Sequence, residues 1–358
     1  MDEQLADILR LGNKMEASDV HLRADTSPVF RVAGKIQISS NPPLTEEELY
    51  RFFDSTATPT IRKIFESRKD VDYSVSLPGV SRFRVNCFLQ QGSIAFVFRQ
   101  IPFELPTVDT IQLPNILLDS VQNNRGLFLL CGPTGSGKST TIAALLQFIN
   151  ENYRVRVVTL EDPIEFLFRD VQAEFLQREL RRDFVSFPEA LRGTLRQDPD
   201  IILVGEVREA ETIELALTAA ETGHLVISTL HASNSASAVA RILGAFSTDA
   251  REFIREQLAS VLIGIVAQAL ITRKDNPGQR LAAREILLNT PAVSNLIRNE
   301  KHEQIPMFLD TGTDQGMVSM NASLESLVAK KLITCDQAFP SSPDPEALMT
   351  RFERRGLL

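Results

Sequence analysis

The octapeptide Gly132-Pro133-Thr134-Gly135-Ser136-Gly137-Lys138-Ser139 constrains this chain more than any other feature. Its pattern, Gly-x4-Gly-Lys-Ser, has chemical meaning only between a strand and a helix. Both are legible: the apolar run Gly126–Cys131 precedes it, and TTIAALLQFI, opening at Thr140, follows. Glycines let the backbone curl so that successive N–H groups point inward at phosphate oxygens, and the helix N-terminus adds partial positive charge. In such a loop Lys138 sets its ammonium against the β- and γ-phosphates, while the Ser139 hydroxyl ligates Mg²⁺. The expected ligand is therefore ATP with Mg²⁺.

The rest of the chain must supply a sheet for that loop. Short, continuous apolar runs at 126–131, 155–160, 201–204 and 225–230 read as strands buried on both faces. Helical segments separate them, notably after Lys138 and at 187–196 and 208–222. This alternation predicts an α/β fold with a parallel sheet covered by helices. Residues 1–101 instead mix short helices with alternating strands, and SRFRVNCFLQ and SIAFVFRQI flank Gln91-Gly92 as a hairpin. The expected organisation is an N-terminal α+β domain over 1–101, a proline-bearing linker over 102–107, the ATPase core over 108–248 and a helical C-terminal subdomain over 249–358. In this last part LASVLIGIVAQALI, residues 258–271, is read as a buried helix, too short at 14 residues to span a bilayer.

Composition narrows the class. A formal net charge of -8 argues against a broad nucleic-acid footprint, so no direct nucleic-acid partner is expected. The three cysteines, Cys87, Cys131 and Cys335, form no C-x-x-C pair, which fits a reducing compartment without a zinc cage. The acidic, amphipathic start MDEQLADILRLGNKMEASD is not a secretory signal. A cytoplasmic protein with peripheral membrane association at most is expected.

Acids and histidines in the strand-bearing region are the candidates for chemistry. Asp198-Pro199-Asp200-Ile-Ile-Leu-Val-Gly205-Glu206 is an apolar strand ending in an acid, where such folds hold Mg²⁺ or its water. Glutamate's longer arm suits contact with a metal-bound water better than direct ligation. Glu161-Asp162-Pro163-Ile164-Glu165 closes another strand, and Glu165 is the candidate base that orients the attacking water; the alternative is a solvated acidic turn. Two of the four histidines, His224 and His231, bracket the run LVISTL at a spacing of seven. Ligands gather at strand C-terminal ends, which favours His231 as the γ-phosphate sensor and leaves His224 for an interface or a packing role.

Together these motifs resemble the secretion and pilus ATPase superfamily, and most of all its type IV pilus retraction, or twitching-motility, group (PilT/PilU). The likeness is collinear: ASDVHL, RFRVN, FRQIP, GPTGSGKST, LEDPIEF, DPDIILVGEVRE, AETGHLVISTLHA, NTPAVSNLIRN and SLVAKKLIT. It implies a PAS-like N-terminal domain joined to a RecA-like ATPase domain, a homo-hexameric ring and docking on an inner-membrane pilus platform protein. It also implies that Arg82, Arg84 and Arg99 reach nucleotide phosphates, in the ring from a neighbouring subunit. Where retraction motors usually read AIRNLIRE this chain reads AVSNLIRN, with Ser294 and Asn299 in place of an arginine and a glutamate. Two other readings stand beside retraction: an ATPase of type II or IV secretion or DNA uptake, and a weakly hydrolysing regulatory subunit of such a motor.

Overall fold

The computed structural model describes residues 1–101, 104–122, 125–276 and 278–358, so Pro102 and Phe103 of the expected linker lie outside the described residues. Contacts divide the chain into two units. The first comprises residues 1–105 together with 161–168 and 177–186; the second comprises 106–160, 169–176 and 187–358.

The first unit follows from strict alternation. Helix α1 (Glu3–Lys14) precedes strands β1 (Ala17–Arg23), β2 (Val29–Val32) and β3 (Lys35–Ile38). Helices α2 (Glu46–Thr56) and α3 (Pro59–Arg68) lead into β4 (Asp70–Leu77), β5 (Ser81–Gln90) and β6 (Ser93–Ile101). The six strands form one antiparallel sheet in the order β3-β2-β1-β6-β5-β4. The expected hairpin is β5–β6, and its turn puts Gln91 and Gly92 at φ of 52° and 88°, the twist that a tight two-residue hairpin needs. Val75, Tyr73, Phe83, Val85, Phe96 and Phe98 share one face and form the core with α1, α2 and α3. The opposite face carries Ser74, Arg82, Arg84, Arg99 and Asp19, because side chains alternate across a strand. This is the PAS-like half of the fold.

Beyond β6 the chain runs through α4 (Asn115–Ser120), β7 (Gly126–Cys131), α5 (Lys138–Asn152), β8 (Arg156–Glu161) and β9 (Glu174–Glu179). Then come α6 (Phe187–Thr194), β10 (Ile201–Val204), α7 (Ala210–Glu221), β11 (Leu225–Leu230), α8 (Ser235–Gly244) and α9 (Thr248–Val261). The sheet runs β13-β12-β7-β11-β10-β8-β9, with β12, β7, β11, β10 and β8 parallel. Its middle strands are buried along their length, as their predominantly apolar sequences require.

The region beyond 249 differs from expectation. Helix α9 ends at Val261, and the rest of the apolar run is strand β12 (Leu262–Thr272), which pairs in parallel with β7 and antiparallel with β13 (Arg280–Leu288). An apolar run buried on both sides looks alike as helix or strand, because periodicity cannot separate them. The β-branched Ile263, Ile265, Val266 and Ile271 tip the balance toward strand. Only after β13 is the chain helical: α10 (Pro291–Arg298), α11 (Ile305–Thr311), α12 (Met320–Ala329), α13 (Cys335–Ala338) and α14 (Pro345–Arg355). No helix among the described residues is long and apolar enough to cross a membrane.

Candidate active site

The phosphate loop leaves the C-terminal end of β7 and becomes α5 at Lys138. Gly132 and Gly137 adopt φ of 152° and 85°, which L-residues with side chains rarely enter. Space forbids a side chain as well. A Cβ on Gly132 would lie 2.5 Å from Ser136 Oγ and 2.6 Å from the Gln268 carbonyl; one on Gly137 would lie 2.8 Å from Gln268 Nε2. Phosphate geometry alone does not account for these glycines, since the neighbouring strand β12 also demands them. Lys138 Nζ donates to the carbonyls of Gly132 (2.8 Å) and Pro133 (3.0 Å), folding the ammonium back over the mouth of the loop. Pro133, Thr134 and Gly135 are exposed, and Ser139 and Thr140 half-buried, on the first turn of α5.

Two predicted residues come together beside the loop. Strands β7, β11 and β10 are adjacent and parallel, so their C-terminal ends deliver the phosphate loop, His231 and Glu206 to one edge of the sheet. Glu206 Oε1 lies 3.2 Å from His231 Nε2, and Oε2 lies 2.6 Å from Arg208 Nη2. Burial lowers the His231 pKa from its ordinary value, opposed by the Glu206 charge and assisted by Lys138, Arg208 and Arg241. The imidazole is thus mainly neutral at pH 7, with one ring nitrogen a donor and the other an acceptor. Arg241 Nη1 donates to the His231 carbonyl at 2.9 Å and steadies the turn that carries it.

His224 sits at the other end of β11. Its Nδ1 is 2.9 Å from the Ala219 carbonyl, so it closes the last turn of α7. That is a packing role for Nδ1 and leaves the interface reading, which would use Nε2, open.

Glu165 follows β8 and belongs to the first unit, half-buried and without a hydrogen bond or ion pair among the described residues. In the same box Asp162 pairs with Arg181 at 2.9 Å, and burial still raises its pKa.

The three arginines read as phosphate contacts all have carboxylate partners. Arg82 is buried and ion-paired with Glu179, which also accepts from Ser74 Oγ at 2.6 Å and from the Ile164 amide at 3.1 Å. Arg84 lies 3.8 Å from Asp72 and Arg99 3.0 Å from Asp19; both stay well exposed. They face each other across β5 and β6. Of the three, Arg84 is the one whose partner is also exposed; Arg99 presents an exposed guanidinium but holds the buried Asp19.

A parallel sheet that presents a phosphate loop, an acid and a neutral histidine at the ends of neighbouring strands defines a phosphate-loop ATPase of the RecA-like kind. Comparison with known proteins supplies the family. Residues 14–290 match the model of the type II/IV secretion system protein family. The Pseudomonas aeruginosa type IV pilus retraction ATPase PilT is 41% identical over 96% of this chain and 99% of its own length. A twitching motility protein of Neisseria gonorrhoeae is 42% identical over 90% of this chain and 86% of its own. A crystal structure of the pilus retraction motor PilT with bound ADP superposes with a TM-score of 0.89, at 39% identity, covering 97% of this chain and 99% of that one. The chain belongs to the type II/IV secretion system protein family.

Proposed function

We propose that this chain is the subunit of a cytoplasmic, homo-hexameric ring ATPase that couples ATP hydrolysis to retraction of a type IV pilus. The observation that carries the reading is near-full-length similarity to PilT combined with an intact phosphate loop and a Glu206–His231 pair at its side. Gly132 to Thr140 bind the phosphates, with Lys138 exchanging its loop carbonyls for phosphate oxygens. Mg²⁺ fits the same place: Ser139 offers a hydroxyl and Glu206 a carboxylate, the hard oxygen donors this ion prefers. When bound, the ion neutralises charge on the phosphates. Glu206 would hold it through water, His231 would sense the γ-phosphate, and Glu165 would orient the attacking water. Arg84 and Arg99, with Arg82 behind them, would meet phosphates from a neighbouring subunit. Docking on an inner-membrane platform protein supplies the load.

Two experiments test this. Purified protein should hydrolyse ATP in a Mg²⁺-dependent manner above a Lys138→Ala background. Binding without turnover would favour the regulatory-subunit reading. A deletion strain should then lose twitching; normal twitching with failed secretion or DNA uptake would overturn retraction.

A further inference from the structure

Behind the phosphate loop lies a buried polar strut that the chemistry above leaves unused. Gln268 projects from β12, the strand beside β7, and is almost fully buried. Its Nε2 donates to the Ser136 carbonyl at 2.7 Å, and its Oε1 accepts from the Thr141 hydroxyl at 2.9 Å. One amide therefore grips both the loop and the first turn of α5. The same Oε1 accepts from Arg284 Nε at 3.0 Å, directly across the β12–β13 register. Arg284 Nη1 and Nη2 donate, each at 3.2 Å, to the carbonyls of Gln112 and Ile111.

Two features distinguish this strut from ordinary packing. A buried guanidinium usually sits against a carboxylate. Arg284 is buried, yet among the described residues its side chain bonds only to neutral oxygens. Burial pulls its pKa down to about 10, which still leaves it charged at neutral pH. An uncompensated cation held one hydrogen bond behind a phosphate cradle is unfavourable when the cradle is empty and favourable when a polyanion fills it. The second feature is where the fork ends. Ile111 and Gln112 lie in a tight turn closed by Leu113 N–H to the Val108 carbonyl (2.9 Å) and Gln112 N–H to the Asp109 carbonyl (3.1 Å). Gln112 is held there at a left-handed φ of 48°.

We propose that Gln268 and Arg284 are positioning residues for the nucleotide: Gln268 sets the shape of the phosphate loop, and Arg284 makes the 107–113 turn respond to phosphate in it. The proposal rests on nucleotide binding at this loop. Gln268 is the centre of the strut because its amide nitrogen donates to the loop while its oxygen accepts from both Thr141 and Arg284. Loss of either end frees the other.

The test is hydrogen–deuterium exchange of the full-length protein with and without ADP, alongside ADP affinity. In the wild type, ADP should slow exchange both in 132–141 and in 107–113. Arg284→Gln should keep protection of the loop, lose it in the turn, and bind ADP about tenfold more weakly, as expected for one lost charge contact. Arg284→Lys keeps the charge but cannot reach two carbonyls at once. It should bind ADP within about threefold of wild type and still leave the turn unprotected. Gln268→Leu should raise KM for ATP more than it lowers kcat; should that variant fail to fold, Thr141→Val removes one of the two grips and should move KM the same way. Undiminished protection of 107–113 in Arg284→Gln overturns the proposal, as does an unresponsive turn beside a protected loop in the wild type. An unprotected loop in the wild type would instead take nucleotide binding down first, and the proposal with it.

Discussion

Glu206 Oε1 and His231 Nε2 stand 3.2 Å apart across the C-terminal ends of two neighbouring parallel strands, β10 and β11. The register that pairs Val204 with Ser228 brings these side chains together, and the adjoining pair Leu230–Cys131 sets the phosphate loop beside them. Three motifs far apart in sequence thus share one edge of the sheet.

Glu206→Gln and Lys138→Ala should therefore fail differently. The glutamine keeps the shape and a hydrogen bond to His231 but loses the charge, so nucleotide should still bind while turnover falls by roughly 100-fold, about 2.7 kcal/mol of barrier. Lys138→Ala would remove the proposed phosphate contact both before and during reaction, so both binding and turnover should fall. Steady-state ATPase assays with parallel nucleotide titrations separate the two. Equal loss of binding in both variants would mean that Glu206 supports the loop and not the reaction.

His231 makes the site sensitive to acid. Its folded-state pKa lies below the ordinary value, chiefly through burial, so the native state resists protonation. Protonated, it would become an imidazolium ion-paired with Glu206, competing with the role proposed for that carboxylate. The unfolded chain takes up the proton first as pH falls through about 6.5. The contribution of this group to stability is thus complete above that pH and is lost on descent toward the folded-state pKa. A kcat profile should show an acid limb below pH 6.5, and His231→Gln should flatten it. An unchanged limb in that variant would assign the titration to another group.

Much of this site was legible in the sequence because its parts are local. Phosphate loop, strand-end acid and strand-end histidine each occupy a few consecutive residues whose geometry follows from strand and helix. The residues that were not legible depend on register. Gln268 lies in an apolar run that reads equally well as helix, and only pairing with β7 sets it against Ser136. Glu179 is likewise silent in sequence, far along the chain from the Arg82 it neutralises. For the same reason the sequence does not show that Arg82 is buried against a carboxylate. A polar residue in an otherwise apolar run was the one signal available for Gln268.

The Arg82–Glu179 pair predicts an asymmetry between stability and turnover. Both side chains are buried, so removing one strands the other's charge. Glu179→Ala should cost about 3–5 kcal/mol, seen as a lower urea midpoint. Arg82→Met combined with Glu179→Leu should recover much of it, since two apolar groups of similar size leave no charge behind. Arg84→Ala changes an exposed pair and should shift stability by no more than about 0.5 kcal/mol, whereas Arg99→Ala leaves the buried Asp19 carboxylate without its partner and should cost more. Turnover lost in Arg84→Ala without loss of stability is then a phosphate effect. A Glu179→Ala protein as stable as wild type would show that the pair contributes nothing.

The C-terminal helix should detach as a unit. On α14, Leu348 and Phe352 are fully buried and pack with Leu324, Val328 and Ile271 in a small separate core. Around it Glu325, itself buried, pairs with Arg351 at 3.1 Å and with Arg355, while Arg351 also reaches Asp310 at 2.6 Å. Phe352→Ala should cost about 3–5 kcal/mol through the cavity it leaves. Because few other contacts hold α14, that cost should appear as local opening before global unfolding. Trypsin should then cut rapidly at Arg351, Arg354 or Arg355, while ADP affinity stays at the wild-type value. Glu325→Ala should act in the same direction by leaving two arginines without their shared carboxylate. Cleavage unchanged in Phe352→Ala would mean that the ion pairs alone secure the helix, and loss of ADP binding would mean that its anchoring reaches the phosphate loop.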